Sequence, residues 1–154
     1  MAVKDDIYYM NIALQQAVIA EQNGEVPVGA ALLLADGSLH VAHNAPIALS
    51  DASAHAEMRV IRAACTATGN YRLPGSTLYV TLEPCCMCAG AMIHARTRRI
   101  VFAASDAKTG AVLSLYRLLD DKRLNHQLEI SSGVLGAECS RLLSGFFAKR
   151  RKKS

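Results

Sequence analysis

The sequence predicts a single α/β domain in which helices cover a mixed five-stranded sheet. The chain has 154 residues, enough for one domain with its own core, and 51% of them are apolar, which excludes a largely disordered chain. Segments rich in β-branched and aromatic residues alternate with segments of helical periodicity. The sequence contains no internal repeat, low-complexity tract or linker, so one domain is the simplest organisation.

The first half of the chain is predicted to form a helix, a hairpin and a second helix. Apolar residues recur at helical spacing over residues 5–22, and an Asn-Gly pair follows. Residues 26–44 are predicted as two strands joined by an Asp-Gly turn, a dipeptide typical of tight hairpins. The second helix is expected to start near Ser53 and to end at Gly69.

The second half is predicted to contain three strands and three helices. The strands are placed at residues 77–82, 98–105 and 126–131. The helices are placed at residues 85–94, 111–119 and 134–152. Strands that alternate with helices in this way indicate a layered α/β domain.

The positive charge of the chain is concentrated at its carboxyl terminus. The net charge is +4, yet the first 140 residues carry 11 basic and 13 acidic residues and therefore a net charge of −2. No acid follows Glu138, whereas residues 149–153 are all basic. We divide the chain into a domain over residues 1–148 and a basic tail over 149–154. The tail is either a frayed, solubilising end or an arm that binds phosphates.

The cysteines and the amino terminus indicate a cytoplasmic protein. The amino terminus has no uncharged apolar run of the signal-peptide kind, and no window is long and apolar enough to span a bilayer. The chain contains five cysteines, an odd number, and three of them lie within residues 85–88. In a reducing compartment, thiols so closely spaced are more typical of a metal site or of catalysis than of disulfides.

A pair of cysteines marks the start of one predicted helix. Cys85 and Cys88 are three residues apart, so their thiols lie on one face, where they can bind one tetrahedral ion. The amino terminus of a helix favours the thiolate form that a metal requires. His55 lies 30 residues upstream, near the start of another predicted helix. If both helix starts meet at one point, these three residues are the protein ligands of a zinc ion.

Glu57, two residues after His55, adds a carboxylate that need not bind the metal. Three protein ligands leave the fourth tetrahedral position open, which is typical of catalytic zinc, and there zinc lowers the pKa of water to about 7. Glu57 is positioned to accept the proton and to deliver it elsewhere. The combination of H-x-E with P-C-x-x-C is the known signature of zinc-dependent deaminases.

The remaining cysteines are interpreted as packing residues. Cys86 would close the metal site if it were a fourth ligand. It points about 100° away from Cys85 around a helix of 3.6 residues per turn, so we expect it to be a small core residue. Cys65 and Cys139 lie on apolar helical faces and are interpreted in the same way.

Three motifs taken together resemble the bacterial tRNA-specific adenosine deaminases. They are "SAHAEMRVI" at 53–61, "TLYVTLEPCCMCAGAMIHAR" at 77–96 and "DAKTGA" at 106–111, and the likeness extends from Glu25 to the "FFAKRR" segment. The resemblance implies a three-layer α/β/α fold of the cytidine-deaminase type. It also implies a homodimer with one Zn²⁺ per subunit that binds a tRNA anticodon stem-loop. The implied reaction is hydrolytic deamination of the wobble adenosine to inosine, with release of ammonia.

The same resemblance implies further site residues. By position, His55, Cys85 and Cys88 match the zinc ligands, and Glu57 matches the proton shuttle. Asn44 matches the asparagine that holds the target nucleoside. Asp106 and Lys108 match a loop that contacts the anticodon around the displaced base.

Two alternatives remain open from the sequence. The same zinc chemistry serves deaminases of free bases or nucleotides, such as cytosine, dCMP or guanine. The other alternative is a zinc-stabilised RNA-binding module without catalysis, against which the presence of Glu57 argues. The basic tail and the 106–110 loop favour a nucleic acid as substrate, whereas the choice of adenine over cytosine rests on the resemblance alone.

Overall fold

The computed structural model describes residues 4–153, which form one sheet between two layers of helices. The strands are β1 (Gly29–Leu33), β2 (Leu39–His43), β3 (Thr77–Leu82), β4 (Arg99–Ala104) and β5 (Glu129–Ser132). The helices are α1 (Asp6–Gln22), α2 (Pro46–Leu49), α3 (Ala56–Thr68), α4 (Cys86–His94) and α5 (Gly136–Lys153). The predicted α/β/α architecture with a mixed five-stranded sheet is confirmed.

The strand directions bring several connections to one edge of the sheet. The spatial order is β2-β1-β3-β4-β5. Strand β1 is antiparallel to β2 and β3, whereas β3, β4 and β5 are parallel to one another. Four strands therefore run in one direction and only β1 runs in the other. The carboxyl ends of β2, β3 and β4 lie at the same edge, where β1 begins.

Alternate residues of the strands face the two helical layers. One row of paired residues packs in the core beneath α3 and α4: Leu32, Leu78, Ile100 and Ile130. The adjacent row packs on the side of α1 and α5: Ala31, Tyr79 and Val101. This period of two is the normal consequence of the pleat, and it places an apolar core on each face of the sheet.

Helix α1 packs against β1 more closely than side chains normally allow. A Cβ atom added to Gly29 would lie 2.0 Å from the carbonyl oxygen of Ala13 and 2.4 Å from the amide nitrogen of Ala17. Ala13 and Ala17 are themselves fully buried. The small residues on both elements therefore fix the distance between α1 and the sheet.

The short helix predicted over residues 111–119 does not form, and the prediction was wrong. Two of its amide groups, those of Val112 and Leu113, donate to the carboxylate of Glu83. Those of Leu115 and Tyr116 both donate to the carbonyl oxygen of Gly110. The segment forms turns because a distant acid takes amide groups that a helix would pair internally.

The entry to α3 also differs from the prediction. Its start was expected near Ser53, but the amide and hydroxyl groups of Ser53 both donate to Asp51, at 2.9 and 2.8 Å. The helix begins three residues later, at Ala56. The short helix α2 just before this turn was not predicted, although Pro46 at its first position is a known helix-start signal.

The basic residues at the end of the chain extend α5 without a break as far as Lys153, so the frayed-tail interpretation does not hold for the described residues. The guanidinium group of Arg150 donates to the carbonyl oxygen of Gly24 at 2.7 Å, just past the end of α1. It also lies over the ring of Phe146, 4.7 Å from the ring centre.

Among residues 4–153 no helix is both long and apolar enough to cross a bilayer.

Candidate metal centre and active-site cavity

Connections at one edge of the sheet supply the residues of the candidate site. Asn44 follows β2, Cys85 lies just beyond β3, and Asp106 lies just beyond β4. Because these strands run in the same direction, their carboxyl ends open on this edge. Ligand sites of open α/β sheets lie beyond the carboxyl ends of strands. Residues that are far apart in the sequence therefore meet in one place.

Two helix starts converge at this edge, as the sequence predicted. His55 and Cys85 are the N-cap residues of α3 and α4, and both have an extended backbone. Neither side chain caps its own helix, so the imidazole and the thiol are available to a ligand at the helix starts. Glu57 and Cys88 follow in the first turn of each helix.

The side chains of His55, Cys85 and Cys88 form a triangle of metal-donor atoms. The Nδ1 atom of His55 lies 3.6 Å from Sγ of Cys85 and 3.5 Å from Sγ of Cys88, and the two sulfurs are 3.8 Å apart. Tetrahedral zinc, with bonds of about 2.3 Å to sulfur and about 2.0 Å to nitrogen, separates two sulfurs by about 3.8 Å and nitrogen from sulfur by about 3.5 Å. The residues present therefore fit one zinc ion and leave its fourth position open.

The triangle holds one thiolate, at Cys85, whereas the contact with Cys85 and burial raise the pKa of the Cys88 thiol. Hydrogen bonding from Cys88, and then from His55, lowers the pKa of the Cys85 thiol to about 4 despite its partial burial. The pKa of His55 is raised, chiefly by the same contact with Cys85. The site therefore holds a thiolate at neutral pH, and the thiolate is the form of cysteine that binds zinc.

Cys86 lies outside the group of potential ligands, and it is exposed at the first position of α4. The expectation that Cys86 is a core residue was wrong, because α4 turns this side away from the sheet. Cys139 is buried, as predicted, and Cys65 is only partly buried against the core.

Glu57 is the buried acid beside the metal-donor triangle. Glu57 is only 4% exposed. Burial raises the pKa of Glu57 to about 7, because the carboxylate form loses its hydration. A group with this pKa can both accept and donate a proton near neutral pH.

A cavity of about 240 Å³ opens next to the donor triangle. Its lining residues come from several connections at this edge: Val26, Val28, Asn44, Pro46, His55, Glu57, Leu82, Glu83, Cys85, Asp106 and Thr109. Pockets for drug-sized ligands have volumes of about 300–1,000 Å³. The cavity is smaller than these and is suited to a single ring system.

Asn44 lines the cavity, and both its backbone amide and its side chain form hydrogen bonds. Its backbone amide donates to the carbonyl oxygen of Val28 at 3.0 Å. Its side-chain oxygen accepts a hydrogen bond from the amide of Ala56, at the start of α3, at 2.8 Å. The side-chain amide nitrogen is therefore the group that remains to donate to a ligand.

Asp106 and Lys108 lie in different places relative to the cavity. Asp106 lines it, and its carboxylate accepts hydrogen bonds from the amides of Lys108 and Thr109 at 3.1 and 3.2 Å and from the Thr109 hydroxyl at 2.7 Å. Lys108 lies in a neighbouring groove of about 620 Å³, together with Phe147 and Arg151. Of this predicted pair, only Asp106 reaches the cavity.

Two buried acids, of which Glu83 lines the cavity and Glu25 holds the start of α2, were not singled out from the sequence. The carboxylate of Glu25 accepts hydrogen bonds from the amides of Ile47 and Ala48 at the start of α2. Glu83 lines the cavity, and although burial opposes its ionisation, hydrogen bonds from Ser114 and neighbouring amides lower its pKa. The sequence offers one signal for Glu83: it is an acid placed between a buried strand and the ligand motif.

Comparisons with known proteins agree with this geometry. The family model of the cytidine and deoxycytidylate deaminase zinc-binding region matches residues 3–104. The tRNA-specific adenosine deaminase of Bacillus subtilis (strain 168) is 49% identical over 148 residues, which cover 96% of this chain and 92% of that protein. The tRNA-specific adenosine deaminase of Haemophilus influenzae is 52% identical over 147 residues, which cover 94% and 84%.

Solved structures are similar over most of the chain. One comes from work on A-to-I editing by tRNA:A34 deaminases at the wobble position. It is 44% identical, with a TM-score of 0.84, and the match covers 88% of this chain and 99% of that one. A guanine deaminase from Nitrosomonas europaea has a TM-score of 0.80 at 21% identity, covering 96% and 87%, and supports the fold alone. The chain belongs to the zinc-binding cytidine and deoxycytidylate deaminase family, in the branch that includes the tRNA-specific adenosine deaminases.

Proposed function

We propose that the protein hydrolytically deaminates the wobble adenosine of a tRNA anticodon to inosine and releases ammonia. The observation that carries the proposal is the open triangle of zinc donors beside buried Glu57, in a cavity suited to one base. Relatives named tRNA-specific adenosine deaminases support adenosine within a tRNA as the substrate. The structure from the work on tRNA:A34 deaminases supports the wobble position.

Zinc is the cofactor, and His55, Cys85 and Cys88 would hold one ion in each subunit. Bound there, zinc supplies the acidification of a water molecule, whose pKa it lowers to about 7. The protein supplies a donor triangle that already has the dimensions of the complex. The positive ends of the dipoles of α3 and α4 favour the negative charge of the thiolates.

Glu57 moves the protons of the reaction. Its carboxylate accepts one proton from the attacking water and delivers it to N1 of the adenine ring. It then accepts the second proton and delivers it to the amino nitrogen on C6, which leaves as ammonia. The water oxygen stays on C6 as the carbonyl group of inosine. A pKa near 7 suits a group that must accept and donate in turn.

Asn44 holds the target nucleoside in this proposal. Its side-chain oxygen is occupied by the amide of Ala56, so the amide nitrogen is the donor left for the base or the ribose. The orientation of that donor is fixed before a substrate enters, which lowers the entropy cost of binding. Asn44 and Glu57 line the same cavity and act on one nucleoside.

The neighbouring groove is proposed to take the nucleotides that flank the target base. It shares Asp106 and Thr109 with the cavity, so a strand can pass from one to the other. Phe147 offers a ring for base stacking, and Lys108 and Arg151 offer positive charge for phosphates. An anticodon loop presents bases that are already unpaired, which lowers the cost of displacing one into the cavity.

The division of the chain follows from these roles. Residues 1–148 are proposed as the zinc-dependent deaminase domain, since they contain the ligands, Glu57 and the cavity. Residues 149–154 are proposed as a basic segment that assists RNA binding. For its described part, this segment is the end of α5 and not a separate unit.

The cytoplasm is the proposed location of the enzyme. A tRNA substrate is in keeping with that compartment. None of the five cysteines forms a disulfide, which agrees with a reducing environment.

A homodimer is proposed from the outer face of α4. On this side Cys86, Met87, Gly90 and Ala91 are exposed or half-buried, and none of them is an acidic or basic residue. A helix that is apolar on all sides is normally buried. We therefore expect a second copy of the chain to cover this face.

A charge placed on that face tests the dimer. A Cβ at Gly90 meets nothing within 4 Å, so Gly90→Glu adds a carboxylate without disturbing the subunit. Light scattering is expected to give a dimer for the wild-type protein and a monomer for Gly90→Glu. Gly145→Glu on α5, where the same space is open, is the matched control and should remain dimeric. A Gly90→Glu dimer would place the interface elsewhere.

An assay with paired substrates tests the proposed function. The purified protein is incubated with a stem-loop that carries adenosine at the wobble position, and inosine is measured by mass spectrometry after digestion. Free adenosine, cytosine, guanine and dCMP are tested in parallel. We expect inosine from the stem-loop, loss of activity with a chelator, and recovery with zinc. Conversion of a free base or nucleotide without the stem-loop would favour the alternative deaminase, and RNA binding without any deamination would exclude catalysis.

A further inference from the structure

Glu83 lies between the metal ligands and the loop that lines the cavity. It follows β3 directly and precedes Pro84-Cys85, so it is two residues from a zinc ligand. Its backbone amide donates to the carbonyl oxygen of Ala104, the last residue of β4, at 2.8 Å. Glu83 is only 2% exposed, so its carboxylate has lost almost all contact with water.

The carboxylate of Glu83 has its hydrogen-bond partners in a single segment. One oxygen accepts from the amide of Asp106 at 3.0 Å and from the hydroxyl of Ser114. The other accepts from three consecutive amides, those of Val112, Leu113 and Ser114, at 3.1, 2.8 and 2.9 Å. None of these donors is a cationic side chain. Consecutive amides that converge in this way form a concave site for an anion, and here the anion belongs to the protein itself.

A glycine in the same segment makes room for the carboxylate. A Cβ added to Gly110 would lie 2.4 Å from the carboxyl carbon of Glu83 and 2.5 Å from the carbonyl oxygen of Asp106. The next amide, that of Ala111, donates to the carbonyl oxygen of Pro84 at 2.8 Å. Residues 106–114 therefore wrap closely around Glu83 and leave no space for a side chain at Gly110.

The same segment, residues 106–114, also lines the cavity. Asp106 and Thr109 line the cavity together with His55 and Cys85, and both also line the neighbouring groove. The hydrogen bonds within the turn fix the shape of residues 106–109, but they do not fix its position relative to the metal site. Glu83 provides that connection, because its backbone leads into Cys85 and its side chain holds the loop.

We infer that Glu83 is a positioning residue, which holds residues 106–114 where Asp106 and Thr109 meet the RNA substrate. This inference rests on the proposed function. It predicts a specific defect in the neutral variant Glu83→Gln. The side chain of glutamine presents an NH₂ group where the backbone N–H groups of the loop need an acceptor. At least some of these N–H groups therefore lose their hydrogen bonds. The loop then loses its position, whereas the zinc ligands keep theirs.

Two variants disturb the contact between Glu83 and the loop, one at each partner. Glu83→Gln removes the anion, and Gly110→Ala places a methyl group where the carboxylate lies. Both are expected to raise KM for the stem-loop about tenfold while kcat changes less than about threefold, because the loop contacts ground state and transition state alike. Zinc content should stay at the wild-type level. Since both changes disturb one contact, the double variant should resemble the worse single variant.

A matched control and a second measurement separate positioning from general damage. Glu129→Gln removes a carboxylate from an exposed ion pair with Arg98 at the opposite edge of the sheet, and it should keep wild-type kinetics. Amide hydrogen exchange reports the loop directly. The amides of residues 112–114 should exchange at least about tenfold faster in Glu83→Gln and at the wild-type rate in Glu129→Gln.

The outcomes are distinct. Wild-type KM and wild-type exchange in Glu83→Gln would overturn the inference, and so would loss of zinc or effects of the two variants that multiply. The proposed function is judged on the wild-type protein alone. If that protein formed no inosine from the stem-loop, the exchange rates would still decide whether Glu83 holds the loop.

Discussion

Replacement of Glu57 by glutamine is expected to remove deamination while the metal stays in place. Glutamine keeps the size and shape of the side chain in a position that is almost fully buried. It lacks the ability to accept a proton and return it. The three residues that could hold the metal, His55, Cys85 and Cys88, are untouched, so the candidate zinc site keeps its donors.

The size of the loss follows from the other acids of the cavity. Glu83 and Asp106 also line it, but both oxygens of each carboxylate already accept hydrogen bonds from the 106–114 segment. Neither can replace Glu57 in proton transfer. General acid–base catalysis contributes about 10²- to 10⁴-fold, and one residue here serves two transfers. We expect kcat to fall about 10³- to 10⁴-fold, equivalent to about 4–5.5 kcal/mol.

Single-turnover kinetics on the stem-loop measure this loss, and metal analysis measures zinc in the same samples. Glu138→Gln is the matched control, because Glu138 is also an acid in the first turn of a helix but does not line the cavity. It should keep full activity. A decrease in kcat of less than about tenfold, or a variant without zinc, would refute the role assigned to Glu57.

Three further predictions concern the metal, the groove and the packing of the sheet. Cys85→Ala should abolish stoichiometric zinc, whereas exposed Cys86→Ala should retain zinc and activity; metal analysis that gave the reverse would refute the ligand set. Arg151→Gln should reduce the slope of log affinity against log salt by about 0.7–0.9, and Lys152→Gln, which lies about 100° away around the same helix and does not line the groove, should change it less. Gly29→Ala should lower the free energy of unfolding by about 3 kcal/mol, since its methyl group would collide with backbone atoms of α1. Chemical denaturation with an unchanged midpoint would contradict the last expectation.

The sequence was sufficient for the parts of the site that depend on local spacing. Cys85 and Cys88 are three residues apart at a helix start, and this spacing alone places both thiols on one face. His55 and Glu57 are two residues apart, which works only in an opening turn, and the structure has them there. The alternation of strands and helices likewise predicted a sheet covered by helices.

The parts that the sequence did not reveal depend on contacts between distant segments. Residues 111–119 have helical spacing, but Glu83, about 30 residues earlier, accepts hydrogen bonds from three of their amides. The exposure of Cys86 depends on which side of α4 meets the sheet, and the sequence of α4 is apolar all round. Lys108 lies only two residues from Asp106, yet the turn directs it to another groove. Tertiary structure decides each of these cases.

The contact of Arg150 with Gly24 has a thermodynamic consequence for RNA binding. It ties the end of α5 to the end of α1, so the last basic residues are already helical before any partner is present. A disordered basic tail must be ordered when it binds, at a cost in conformational entropy. Such coupled folding also produces a large change in heat capacity. A helix fixed in advance avoids both, so the phosphate contacts proposed for it should contribute to affinity with little heat-capacity change.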